Sequence, residues 1–208
     1  MYCGSVQSFV MLILASGSPR RAELLRNAAI EFDVQPAHIP EERLLGEHPL
    51  EYVQRLAREK AAVVLGRNPG TLVLGADTTV VVDEHVLEKP LDHEDAARML
   101  RLLSGRTHEV MTGVCLAGQT NGGKTVCDIR SETTEVTFST MTEEDIRWYI
   151  ESGEPMDKAG AYGIQGIASR WVSRIEGTHP NVMGLPVSLV VRMLNEAKGR
   201  ASYISQTK

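Results

Sequence analysis

Five short stretches carry residue types that handle phosphate, water or a nucleobase. The first is LILASGSPRRAELL, residues 12–25. An apolar run meets Ser16, Gly17 and Ser18, then Pro19, Arg20 and Arg21, where a helical pattern begins. A helix N-terminus has unpaired N–H groups and a partial positive charge. The two serine hydroxyls, a glycine that permits close backbone approach and two forked guanidiniums would make it a phosphate site. An ordinary capped helix with solvated arginines fits the same letters. The second is GADTTVVVDEHVLEKP, with Asp77 at the end of an apolar run and Lys89 returning after a short excursion. A carboxylate at a strand end can hold a divalent metal or orient water. A turn cap and a solvated lysine are the plain alternative.

Lys60 stands third, in RLAREKA, where helical spacing leans it towards Leu56 and Ala57. A lysine there either snorkels to solvent or points into a site. Fourth, GEPMDKAGAYGIQG sets an acid, a base and Gln165 among small residues. A glutamine amide offers one donor edge and one acceptor edge to a base, although a flexible connection would look similar. Glu41 and Glu42 come last, as metal-ligand candidates or surface charges. The six histidines have no zinc-site spacing, and no GxxxxGK[ST], GxGxxG or GxSxG motif occurs.

These residues need a scaffold, and 208 residues suffice for one. The net charge of -5 argues against a general nucleic-acid binder. No apolar run approaches the roughly 20 residues of a membrane-spanning helix. The three cysteines form no disulfide framework, and Cys115 and Cys127, although able to face each other across a hairpin, read as small buried thiols. A reduced, cytoplasmic protein is expected.

Residues 11–16 read as a buried strand. Ser18 and Pro19 start a helix as N-cap and first residue. A strand at 31–35, a loop over 36–48 and a helix over 49–66 follow. Residues 71–77 form a buried strand, and 78–90 a strand, a turn and a short return. A helix is expected over 91–105, long strands at 107–118 and 124–139 around the turn QTNGG, and a capping-box helix from Thr142 to Gly153. Residues 157–166 read as a Gly-rich loop, 168–177 as a strand and 185–197 as the last helix, with a polar tail beyond. This alternation, interrupted by a long hairpin, predicts an α/β fold. Its mixed central sheet would carry helices on both faces and a cleft at strand ends.

Taken in order, LASGSPRRAELL, RLAREKA, LGADTTVVVD, LEKP, LSGRTHEVMTGV and DKAGAYGIQG resemble the Maf family over nearly the whole chain. The resemblance implies one domain over residues 11–198 with tails at 1–10 and 199–208. Two lobes would flank a cleft, as in the inosine triphosphate pyrophosphatases. It implies a nucleoside triphosphate pyrophosphatase that cleaves between the α and β phosphates with Mg²⁺ or Mn²⁺. A homodimer is implied too, and the family name refers to inhibition of septum formation. Asp77 matches the family's proton acceptor. Ser16, Arg21, Glu41, Lys60 and Lys89 match its phosphate- and metal-handling positions. Arg20, Thr78 and Gln165 match those that mark the dTTP- and UTP-acting subfamily. The sister subfamily acting on 7-methyl-GTP has Trp-Arg where this chain has Arg20-Arg21. Glu41 follows Ile39-Pro40 here, where the family often has Ile-Asp, so one carboxylate is missing from that loop. The expected assignments are Asp77, Lys60 and Lys89 as catalytic, Glu41 and Asp77 as metal ligands, and Ser16, Ser18, Arg20, Arg21, Thr78 and Gln165 as substrate-binding. Two alternatives stay open: the same chemistry on another or modified nucleotide, and a nucleotide-dependent division regulator without turnover.

Overall fold

The computed structural model describes residues 11–119 and 123–205. A seven-stranded mixed sheet runs through it in the order β2-β1-β3-β5-β6-β7, with β4 paired to β3. The strands are β1 (Leu12–Leu14), β2 (Asp33–Val34), β3 (Leu72–Val82), β4 (His85–Leu87), β5 (Thr107–Gln119), β6 (Thr125–Phe138) and β7 (Val172–Glu176). Strands β1, β2 and β3 are parallel, and the remaining pairings are antiparallel. The expected α/β class with helices on both faces is what forms.

One face carries α2 (Pro49–Arg67). Its Tyr52, Val53, Leu56, Ala57, Ala61 and Val64 are buried against the sheet. Two glycines let it lie this close. A Cβ on Gly75 would fall 2.1 Å from the Ala57 carbonyl oxygen, and one on Gly113 2.4 Å from that of Val53. The other face holds the larger core, in which Leu74, Val114 and Val136 of the sheet meet Leu25, Leu100, Tyr149 and Leu189. Those four come from α1 (Pro19–Asn27), α3 (His93–Leu103), α4 (Glu143–Glu151) and α6 (Val187–Ser205).

Most helix starts follow the local chemistry read from the sequence. Ser18 caps α1 by accepting from the Arg21 N–H, Asp92 caps α3, and Thr142 with Asp145 closes a capping box on α4. The Gly-rich segment is more ordered than a loop, with 3₁₀ turns at Glu154–Asp157, Ala159–Ala161 and Ile167–Arg170. The expected strand over 168–177 shortens to β7 for that reason. A one-turn helix, α5 (His179–Val182), precedes α6 and has no counterpart in the sequence reading. Helix α6 continues to Ser205, beyond the expected helix end at 197. The expected N-terminal tail lies outside the described residues, as does the centre of the QTNGG turn.

Two further expectations need correction. Cys115 and Cys127 are joined as a disulfide between β5 and β6, not held as separate thiols. They lie two register positions apart, since Cys127 pairs with Ala117, and their Cα atoms are 6.4 Å apart. Asp77 does not end its strand but sits midway along the eleven residues of β3. What ends there is the neighbour. Along β3, β1 pairs only with Leu72–Leu74 and β4 only with Val80–Val82. Along Gly75–Thr79, β3 is paired on its β5 side alone. A cleft opens in that gap.

Candidate active site

The cleft has a volume of about 800 Å³, and the ten residues given catalytic, metal or substrate-binding assignments line it. Asp77 and Lys60 form its floor, each only 7% exposed. Asp77 faces α2 because odd-numbered positions of β3 point that way, and Lys60 meets it from the helix. The Lys60 Nζ lies 2.7 Å from Asp77 Oδ1 and 2.5 Å from Glu41 Oε1. A single ammonium therefore bridges two carboxylates, and snorkelling is excluded. Burial raises the Asp77 pKa, against the opposing pull of Lys60 and Arg21. Burial pushes Glu41 upward too, but its hydrogen bond to Lys60 and the charges of Lys60, Lys89 and Arg21 outweigh this and lower it. The two carboxylates are thus shifted in opposite directions, Asp77 upward, as suits a group that takes a proton, and Glu41 downward.

Beside this floor, β1 gives way to the start of α1. The Ala15 N–H still donates to the Leu74 carbonyl at 2.8 Å, and then the chain turns away through Ser16, Gly17 and Ser18. The Ser18 N–H donates to Ser16 Oγ at 3.2 Å. Arg21 is fixed at all three nitrogens. Its Nε donates to the Gly184 carbonyl at 2.8 Å, Nη1 to Ser16 Oγ at 3.1 Å and Nη2 to Thr78 Oγ1 at 3.1 Å. Thr78 projects from the other face of β3, where its hydroxyl also meets Thr112 and Gly184. It acts on the cleft through Arg21. The Arg21 pKa is lowered by burial, with Asp77 and Glu41 pulling the other way.

Residues 36–41 form the outer wall, with Ala37 anchored in the α2-side core. Tyr52, which the sequence marks only as an apolar helix position, has a second task. Its hydroxyl lies 2.9 Å from the Glu41 carbonyl and 2.5 Å from Glu88 Oε1, tying together the segments that carry Glu41 and Lys89. Lys89 is exposed at the rim, and Glu42 is exposed and does not line the cleft.

The opposite wall is the segment Glu154–Gly166. Arg20 reaches across to it, with Nη1 3.1 Å from Asp157 Oδ2, and Lys158 holds the other Asp157 oxygen at 2.6 Å. Gln165 is exposed to the cleft, and its amide has no hydrogen-bond partner among the described residues. The cleft therefore has an acid–base, cation-rich end at β3 and α1 and a free amide at the other.

The Maf-like protein family matches residues 11–197, and the chain belongs to the Maf family. It is 58% identical over 186 residues to a dTTP/UTP pyrophosphatase from Koribacter versatilis, covering 89% of this chain and 94% of that one. It is 50% identical over 185 residues to the protein of the same name from Symbiobacterium thermophilum, with 89% and 93% covered. Among solved structures, it is similar to a dITP/XTP pyrophosphatase from Mycobacterium abscessus at 13% identity and a TM-score of 0.40, over 93% and 96% of the two chains.

Proposed function

We propose that the protein is a metal-dependent nucleoside triphosphate pyrophosphatase that converts dTTP and UTP to the monophosphate and pyrophosphate. The observation that carries this reading is the pairing of Asp77 and Glu41 on one Lys60 ammonium at the cleft floor. It is reinforced by relatives named dTTP/UTP pyrophosphatase. The triphosphate lies along the α1 N-terminus, held by Ser16, Ser18 and Arg21, with Lys60 and Lys89 neutralising the leaving pyrophosphate. Asp77 orients water and accepts its proton, a role that its burial-raised pKa favours.

The residues present fit a Mg²⁺ or Mn²⁺ ion. Glu41 and Asp77 bring two carboxylates together at Lys60, hard oxygen donors of the kind these cations take. Hard divalent cations are commonly held by one or two carboxylates plus substrate phosphates. Glu41 and Asp77 would hold the ion, which when bound supplies positive charge to the phosphate oxygens. Arg20 and Gln165 face the base. Uracil and thymine present an acceptor at O4 beside a donor at N3, and one amide matches both.

No helix among the described residues is long and apolar enough to cross a membrane. The family resemblance supports a homodimer, which light scattering would check. The deciding experiment is product analysis with dTTP and Mg²⁺. Equal amounts of dTMP and intact pyrophosphate are expected. Release of orthophosphate with dTDP left behind would overturn the reading.

A further inference from the structure

Gln165 can bring its amide to the same place against a base only if the backbone that carries it is held. The turn that carries it is closed by the Gly166 N–H donating to the Gly163 carbonyl at 3.0 Å. Both flanks of that turn are tied to one pair of side chains. The Gly163 N–H donates to the Tyr149 hydroxyl oxygen at 3.2 Å, and the Ile167 N–H donates to Glu154 Oε2 at 2.9 Å. The Tyr149 O–H in turn donates to Glu154 Oε1 at 2.8 Å. Tyr149 is fully buried in α4, so the pair is mounted on the core and not on the loop. Gly153, with φ of 75°, reverses the chain after α4 and brings Glu154 back beneath the turn. Contact is close, since a Cβ on Gly166 would sit 2.3 Å from Glu154 Oε1.

We propose that Glu154, braced by Tyr149, is a positioning residue for base selection: its carboxylate clamps the 163–167 turn and so sets the place from which the Gln165 side chain reaches the base. This rests on the reading that Gln165 contacts the base. A carboxylate is required because two donors, the Tyr149 O–H and the Ile167 N–H, converge on it. Glutamine has a single acceptor oxygen, so Glu154→Gln leaves one donor unanswered while keeping the size.

The test compares Glu154→Gln, Tyr149→Phe, Gln165→Ala and the Glu154→Gln/Gln165→Ala double variant on dTTP and CTP, with hydrogen exchange at Ile167. Glu154→Gln is expected to lower the dTTP-over-CTP ratio of kcat/KM by about fivefold or more, mainly through KM, and to speed Ile167 exchange. Tyr149→Phe, which removes only a hydroxyl, should shift the ratio the same way. In the double variant the ratio should fall no further than in Gln165→Ala alone, as for residues acting in series. If Gln165→Ala changes the ratio while both clamp variants leave it and Ile167 protection unchanged, the clamp is refuted and the base reading survives. Multiplying effects in the double variant would also refute it, since Glu154 would then act independently. An unchanged ratio in Gln165→Ala would remove the base reading and the clamp with it.

Discussion

Replacing Asp77 by asparagine separates the chemical role of this carboxylate from its structural one. Asparagine keeps the side-chain size, and its oxygen can still accept from Lys60 Nζ across the 2.7 Å contact. What it loses is the negative charge and the ability to take a proton. On the structural side, removing one partner of a buried ion pair commonly costs about 3–5 kcal/mol. Two features reduce that here. Lys60 retains Glu41 as a counter-ion at 2.5 Å, and the variant no longer has to bury a carboxylate that is 7% exposed. A net loss of about 1–2 kcal/mol is expected, a fall in Tm of roughly 2–8 °C for a chain of this size. On the chemical side, losing a general base lowers kcat by about 100-fold or more, equivalent to about 2.7 kcal/mol in the barrier. Nucleotide binding should weaken by less than about tenfold, because Ser16, Ser18, Arg21 and Lys89 are untouched. The assay is pyrophosphate release from dTTP under saturating Mg²⁺, beside thermal unfolding and titration with a non-hydrolysable α,β-imido analogue. A folded variant that retains more than about a tenth of the wild-type kcat would refute the assignment of Asp77 as base.

Lys60→Ala should lower both Tm and kcat, because it strands the buried Asp77 carboxylate, whereas Lys89→Ala at the exposed rim should lower kcat/KM and leave Tm unchanged. Equal Tm losses in the two would contradict the placement of Lys60 between the carboxylates. Excess EDTA should abolish turnover and added Mg²⁺ or Mn²⁺ should restore it, with full activity in EDTA excluding the metal role given to Glu41 and Asp77. Stability should fall on acidification because of His108, which is 2% exposed, stacked edge-on with Phe138 and Tyr162, and depressed by burial to a pKa of about 4. Between pH 6.5 and about 4 the unfolded chain binds a proton at this ring that the native one does not, so up to about 3 kcal/mol present at neutral pH is lost across that window. Urea titrations at pH 7 and pH 4.5 measure this, and a His108→Phe variant with an undiminished pH slope would contradict it.

The parts of the site legible in the sequence are those whose signal is local. Ser18-Pro19 announces a helix start by cap chemistry alone, and the structure places that start on the cleft. The position of Lys60 on the apolar side of α2 follows from helical spacing, although only the structure decides between solvent and Asp77. Asp77 depends on a longer-range feature. A change from apolar to polar letters looks like a strand end, but β3 continues, and the change reflects a switch of neighbour from β1 to β4. No one-dimensional pattern encodes which strand stops pairing. The same holds for Tyr52, Tyr149 and Glu154. Each is unremarkable in its own helix or turn and acquires its role only when residues distant in sequence or fold are brought to its polar atom, as Glu88 is to Tyr52 and Ile167 to Glu154. The cleft thus joins two kinds of residue. Those that would touch phosphate or base sit at local motifs, where the backbone itself supplies part of the function. Those that hold them in place are ordinary core and turn residues, chosen by tertiary geometry. Substitutions in the second group should therefore alter selectivity or stability before they alter the chemical step.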